Sequence, residues 1–212
     1  MFTIETSEEK IKENYNKFME YVQADERADL LIKMYEDFGD ELFTAPASGK
    51  AHYHNAFPGG YLDHVLRVVE TTLQVAGMYK KMGGNINFTK QEAIFAALHH
   101  DLGKLGEPAN TPYYLDQDSD WHRKRGELYK HNPNLSYMKV PDRALMTLQR
   151  YGIKLTNNEW VSIKLSDGLY DESNEAYLKS SFIQYPLDTN LPRIVHIADY
   201  MSSQVENDMS RF

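Results

Sequence analysis

A histidine and an aspartate close an otherwise apolar run in Leu98-His99-His100-Asp101-Leu102-Gly103-Lys104. A carboxylate in apolar surroundings is costly unless a cation, a hydrogen-bond set or a metal meets it. Two further apolar segments carry matching groups: His64 in Gly59-Gly60-Tyr61-Leu62-Asp63-His64-Val65, and Asp199 in Ile194-Val195-His196-Ile197-Ala198-Asp199-Tyr200-Met201. Two imidazoles and two carboxylates from three segments make a mixed nitrogen and oxygen donor set. Such a set suits Mn, Co, Ni, Fe or Zn, with Mg also admissible. It leaves coordination positions for water and substrate, as a hydrolytic metal requires. Neighbouring helical side chains diverge by about 100°, but at a helix end both can lean over one terminal cavity, where the negative end of the helix dipole also favours a cation.

The elements that must position these groups read as helices. Ser7 followed by Glu8 and Glu9 is a helix start, and Ile11, Tyr15, Phe18, Met19 and Val22 recur at helical spacing. A second helix is expected from about Glu26 to Phe38, with Leu30, Leu31, Met34, Tyr35 and Phe38 inward. Residues 44–59, rich in Ala, Pro, Gly and Ser, read as loop, and a long helix follows Gly59-Gly60 until Gly83-Gly84-Asn85 breaks it. Thr89 and Glu92 form a capping box before an apolar helix running to about Asp101, with Gly103 as its stop. Residues 105–135 are the least helical stretch: Tyr113–Leu115 and Glu127–Tyr129 flank Asp116–Gly126 as a β-hairpin or ordered loop. Helices resume at about 141–151 with Pro141 at the first position, at about 156–168 with Thr156 as cap, and at about 191–208. The fold class is therefore all-α, a helical bundle with a small β-hairpin or irregular loop at about 110–130. The 212 residues read as one domain, with residues 1–45 as N-terminal helices packed on a core at 50–205.

Bulk properties narrow the chemistry. No cysteine is present, which excludes disulfides, thiolate ligands and a cysteine nucleophile. The formal net charge of -8 does not draw in a long polyanion through the whole-molecule field, and it fits a small anion neutralised by a metal better. The opening Met1-Phe2-Thr3-Ile4-Glu5-Thr6 has neither a basic nor an apolar leader region, and no apolar run approaches the roughly 18–20 residues of a membrane span. The expectation is a cytoplasmic protein with no membrane partner.

The order His64, His100-Asp101, Asp199 resembles the H…HD…D signature of the HD-domain superfamily, and residues 98–104 are similar to its L-x-H-D-x-G-K form. Residues 54–64 resemble the approach to the first metal histidine in the branch that includes HD-type bacterial 3′–5′ exoribonucleases. The resemblance spans roughly residues 50–205. It implies a helical domain holding one or two divalent ions through His64, His100, Asp101 and Asp199. It also implies hydrolysis of a nucleotide's phosphomonoester, phosphoanhydride or phosphodiester by a metal-activated water, with Asp101 bridging or orienting it. Two-metal members carry further histidines before the last Asp. His122 and His131 occupy that interval, while the helix near 166 offers Asp167 in place of a histidine, as ligand or general base.

Lys104 is placed to contact a substrate phosphate or pair with a carboxylate; Arg123, Arg125, His54 and His131 are further substrate contacts. Tyr113, Tyr114 and Trp121 either stack on a base or pack the hairpin. His99 and His196 read as structural. The leading expectation is a nucleotide phosphohydrolase with Asp101, Lys104 and Asp167 at the reacting centre. The rivals are a 3′–5′ phosphodiesterase on short oligonucleotides, an HD-type di-iron oxygenase, and a nucleotide-binding module without turnover. Helical members of that superfamily often dimerise, so a homodimer is also expected, with no interface located by the sequence.

Overall fold

The computed structural model describes residues 7–109, 111–179 and 187–211, with the backbone alone for 210 and 211. Ser7 accepts from the Lys10 amide and caps α1 (Glu8–Gln23). Then come α2 (Ala28–Phe38), the short α3 (Glu41–Thr44) and the long α4 (Gly60–Lys81). The Thr89–Glu92 capping box opens α5 (Lys90–His99), which runs into a 3-10 turn at Leu102–Leu105. Strand β1 (Tyr114–Asp116) pairs antiparallel with β2 (Tyr129–His131), with Leu115 opposite Lys130, and α6 (Asp120–Lys124) lies between them. The chain continues through α7 (Val140–Arg150), α8 (Asn157–Lys164), the one-turn α9 (Glu175–Leu178) and α10 (Leu191–Arg211). The architecture is all-α with one two-stranded sheet, as the periodicity predicts. No helix of the described residues is long and apolar enough to cross a membrane.

Helix α4 is central. It packs along α10 and α5, and α1 and α3 cover its other side. The core gathers Phe18 and Val22 from α1, Leu31, Met34 and Phe38 from α2, Val65 and Val69 from α4, Phe95 and Leu98 from α5, and Val195 and Ala198 from α10. Helix α8 closes on α5 and α10, and α7 lies against the 3-10 turn after α5.

Several boundaries differ from the sequence reading. Helix α5 ends at His99, so His100 and Asp101 form the passage into the 3-10 turn. Gly103 lies inside that turn, where a Cβ would stand 2.2 Å from the Val140 carbonyl oxygen. Its lack of a side chain permits close helix packing rather than helix termination. Helix α8 stops at Lys164, which leaves Asp167 in a turn with its own freedom of aim. Pro141 is the second residue of α7, after Val140. Leu30, expected inward, is 41% exposed, at the edge of the buried stripe of Leu31, Met34, Tyr35 and Phe38. Helix α6 has no apolar periodicity to announce it, and Ser119 caps it through the His122 amide.

One ionic clamp fixes the corner on which α5 rests. Arg27 donates to Asp25 at 2.7 Å and to both carboxylate oxygens of Glu159 at 2.8 Å, and its guanidinium lies 3.8 Å above the Phe95 ring. Asp25 also accepts from Gln91 at the start of α5. Asp25 and Glu159 are buried. Burial by itself would raise the Asp25 carboxyl; the hydrogen bonds from Arg27 and Gln91 outweigh it and hold the group at about 2. The folded value lies below the unfolded value of about 3.9, so this contribution to stability is complete above pH 4 and fades as pH falls toward 2. Removing the cation strands two buried carboxylates. Arg27→Ala is expected to lower the unfolding free energy by about 3–5 kcal/mol in urea titrations at pH 7, and a loss below about 1 kcal/mol would show that solvent replaces the guanidinium.

Candidate metal centre

Four side chains from three helices meet between α4, α5 and α10. His64 comes from the second turn of α4, where Gly60 lets the helix begin against the preceding loop: a Cβ there would stand 2.1 Å from the Asn55 carbonyl oxygen. His100 and Asp101 come from the passage just beyond α5, and Asp199 comes from the middle of α10. His64 Nε2 lies 3.1 Å from Asp199 Oδ1 and 3.5 Å from Asp101 Oδ2. His100 Nε2 lies 3.5 Å from Asp101 Oδ2 and 3.7 Å from Asp199 Oδ1. Donors on a tetrahedron with bonds of about 2.1 Å stand about 3.4 Å apart.

The imidazole tautomers suit a cation. His100 Nδ1 lies 2.7 Å from the Ala97 carbonyl oxygen, and His64 Nδ1 lies 3.0 Å from Glu206 Oε2. Both partners only accept, so each Nδ1 carries the proton and donates. Each Nε2 then faces the shared space, buried and turned toward the two carboxylates. Two inward nitrogens beside two carboxylate oxygens fit a divalent ion.

The protonation states carry the same demand. Burial disfavours a charged His64, yet Glu206 and Asp199 push its pKa up to about 10. His100 is likewise raised, burial being overcome by Asp101 and Asp199. Burial would raise Asp199, but His100 and His64 hold it well below the usual carboxylate range. Asp101 is lowered in the same sense, chiefly by Lys104, whose Nζ stands 2.6 Å from Oδ2.

Glu206 is the site residue that the sequence reading missed. It is buried, seven residues and so about two turns beyond Asp199 on α10. It accepts from His64, takes Arg67 Nε at 3.1 Å, and lies 3.3 Å from His54 Nδ1. Its spacing from Asp199 on one helix face was the available signal. Asn55, with φ of 44°, donates to Asp63 at 3.0 Å and anchors the loop that brings the His54 ring 4.4 Å from that of His64. Burial, with the charges of His64 and Lys104, lowers His54 to about 3, so it is neutral.

The cluster opens into a cavity of about 380 Å³ lined by Asp101, Asp199, Lys104, His54 and Asp167, with Tyr53, Tyr114 and Gln204 on other walls. Burial, reinforced by Asp101 and Asp199, pushes the Asp167 carboxyl up to about 6. The other expected contacts lie elsewhere. His122 pairs with Glu127 at 2.5 Å, Arg123 bonds the Gln117 carbonyl, and Arg125 lies 4.5 Å over Trp121. His131 lies opposite Tyr114 in the hairpin and lines a separate cavity of about 250 Å³ with Tyr113 and Arg143. None of these four lines the cavity beside the cluster. His99 is packed between Tyr35 and Phe95, with Nδ1 2.7 Å from the Phe95 carbonyl oxygen, and His196 Nδ1 is 3.0 Å from the Ser166 carbonyl oxygen. Comparison of the chain with family models, curated proteins and solved structures gives no match.

Two outcomes follow for Mn²⁺ titrated by calorimetry. Glu206→Ala frees the His64 ring and should weaken binding by about 10–100-fold, with Glu206→Gln recovering part of the loss through its remaining acceptor; equal affinity for all three proteins would show that Glu206 does not orient the ring. Because Glu206 and Asp199 hold His64 protonated without an ion, with a pKa of about 10, binding should release a proton, and affinity should fall as pH drops from 8 to 6. A pH-independent affinity would contradict this protonation scheme.

Proposed function

We propose that the chain is a metal-dependent phosphohydrolase acting on a nucleotide, with His64, His100, Asp101 and Asp199 as ligands. The carrying observation is the convergence of two buried Nε2 atoms and two carboxylate oxygens, 3.1–3.7 Å apart, beside an open cavity. A bound Mn, Co, Ni, Fe, Zn or Mg ion would supply Lewis-acid polarisation of a phosphate oxygen and a water acidified toward neutral pH. Among the described residues, His64, His100 and Asp101 have donor atoms within 4.8 Å of one another, and Asp199 adjoins both imidazoles. The other group of three donors, His54, His64 and Glu206, reuses His64 through the nitrogen that already faces Glu206. A di-iron oxygenase needs about six protein ligands, so four favour hydrolysis.

The chain's own residues do the remaining work. Lys104 keeps its charge, because Asp101 raises its pKa against burial, and its ammonium lines the cavity where a phosphate oxygen would enter. Asp167, with a carboxyl near 6, can take a proton from water or give one to a departing oxygen at little cost near neutral pH. Neutral His54 offers a hydrogen bond without setting a positive charge beside the ion. Tyr53 and Tyr114 narrow the mouth and give flat surfaces for a base or sugar.

The test is phosphate release with product identification across nucleotides and short oligonucleotides, in the presence of Mn²⁺, Co²⁺, Ni²⁺, Zn²⁺ or Mg²⁺. Asp101→Ala should lose metal binding and turnover together, and retained turnover would overturn the assignment. Asp167→Asn should keep metal affinity while kcat falls by about 10²–10⁴. An unchanged kcat would remove Asp167 from proton transfer.

A further inference from the structure

We infer that the substrate carries a single phosphate, that is, a nucleoside monophosphate rather than a di- or triphosphate or a nucleic-acid strand. This rests on the phosphohydrolase reading and narrows it.

Charge at the cavity is the first observation. Among the described residues lining it, Lys104 is the only cation, against the carboxylates Asp101, Asp167 and Asp199. Three carboxylates and one ammonium leave two negative charges, which one divalent ion cancels. A loaded site is thus near neutrality, and a monoester dianion is the only large charge it must take. A triphosphate brings two more charges beyond the reach of that ion, and its outer phosphates need cations of their own. None is at hand. Nearby basic groups are committed elsewhere: Arg67 to Glu206, Arg143 to Glu107, Lys139 to Asp171 and Lys164 to Asp142.

The other walls are the second observation. Ser48, Tyr53, Tyr114 and Gln204 are neutral hydrogen-bonding or aromatic groups, suited to sugar hydroxyls and a base and unable to offset phosphate charge. The volume of about 380 Å³ falls at the small end of ligand cavities, which run from about 300 to 1,000 Å³. The net charge of -8 works against a strand that extends over the surface. The reaction is then balanced simply. A water oxygen bonds phosphorus, the ester P–O bond breaks, and one water proton ends on the leaving oxygen while the other stays on the released phosphate.

The experiment compares nucleoside 5′-mono-, di- and triphosphates of one base, with a dinucleotide alongside, on the Mn²⁺-loaded protein. kcat/KM for the monophosphate should exceed that for the triphosphate by about tenfold or more. Gln204→Lys, an added cation on the exposed face of α10, should narrow this gap by about tenfold. Calorimetry with a nucleoside methylenephosphonate and the matching non-hydrolysable triphosphate gives a readout independent of turnover, with the phosphonate binding tighter. A triphosphate or dinucleotide that is turned over or bound as well as its single-phosphate counterpart overturns this inference and leaves the phosphohydrolase reading standing. Hydrolysis of no compound in the panel, by protein that binds Mn²⁺, overturns both.

Discussion

Buried negative charge is the constraint around which the molecule is arranged. Asp101 and Glu206 are buried and Asp199 half-buried where α4, α5 and α10 approach one another, and few carboxylates are left in such places without compensation. His64 answers all three: its Nε2 faces the two aspartates and its Nδ1 meets Glu206. A ring with acceptors on both sides is fixed in orientation, and so are the helices that carry its partners. The packing of α4 against α10 therefore serves two ends, as the largest part of the core and as the jaw that holds the site.

Backbone geometry makes that approach achievable. Gly60 and Gly103 stand at the start of α4 and just after α5, and at each a Cβ would intrude on a carbonyl oxygen at 2.1–2.2 Å. The first contact seats the His54 loop against His64; the second brings the Leu102–Leu105 turn under α7. Both glycines lie within four residues of a cluster side chain. Local backbone closeness and side-chain convergence are thus one feature, described at two scales. The Arg27 clamp does the same from the far end of α5, joining its first turn to α2 and α8.

Much of this was legible in the sequence, for reasons that are local. The capping boxes at Thr89 and Thr156 announce helix starts because their hydrogen bonds form between residues three apart. His64, His100, Asp101 and Asp199 stand out because polar groups in apolar helices demand an explanation, and the structure brings them together. What was hidden depends on contacts distant in the chain. Glu206 reads as an ordinary acid on a polar stretch until α10 is laid along α4. The Arg123 and Arg125 run looked like a phosphate-steering patch, but α6 turns those side chains to Gln117 and Trp121. Asp167 was placed within a helix, and the early end of α8 frees it to line the cavity.

The charge balance also bears on how the fold and the proposed ion depend on each other. Without an ion, protonated His64 brings a positive charge to the carboxylates, and His100 is raised in the same sense by Asp101 and Asp199. The helices can therefore close around the cluster in either condition, and loading exchanges protons for metal without leaving carboxylates bare. A small structural zinc domain has no comparable alternative, since binding and folding are there one event. Here Phe18, Phe38, Phe95, Val65 and their neighbours provide a core that is independent of the cluster. A fold that stands by itself can keep its donor atoms open on a cavity rather than closed around an ion, and that openness is what a hydrolytic site requires of its scaffold.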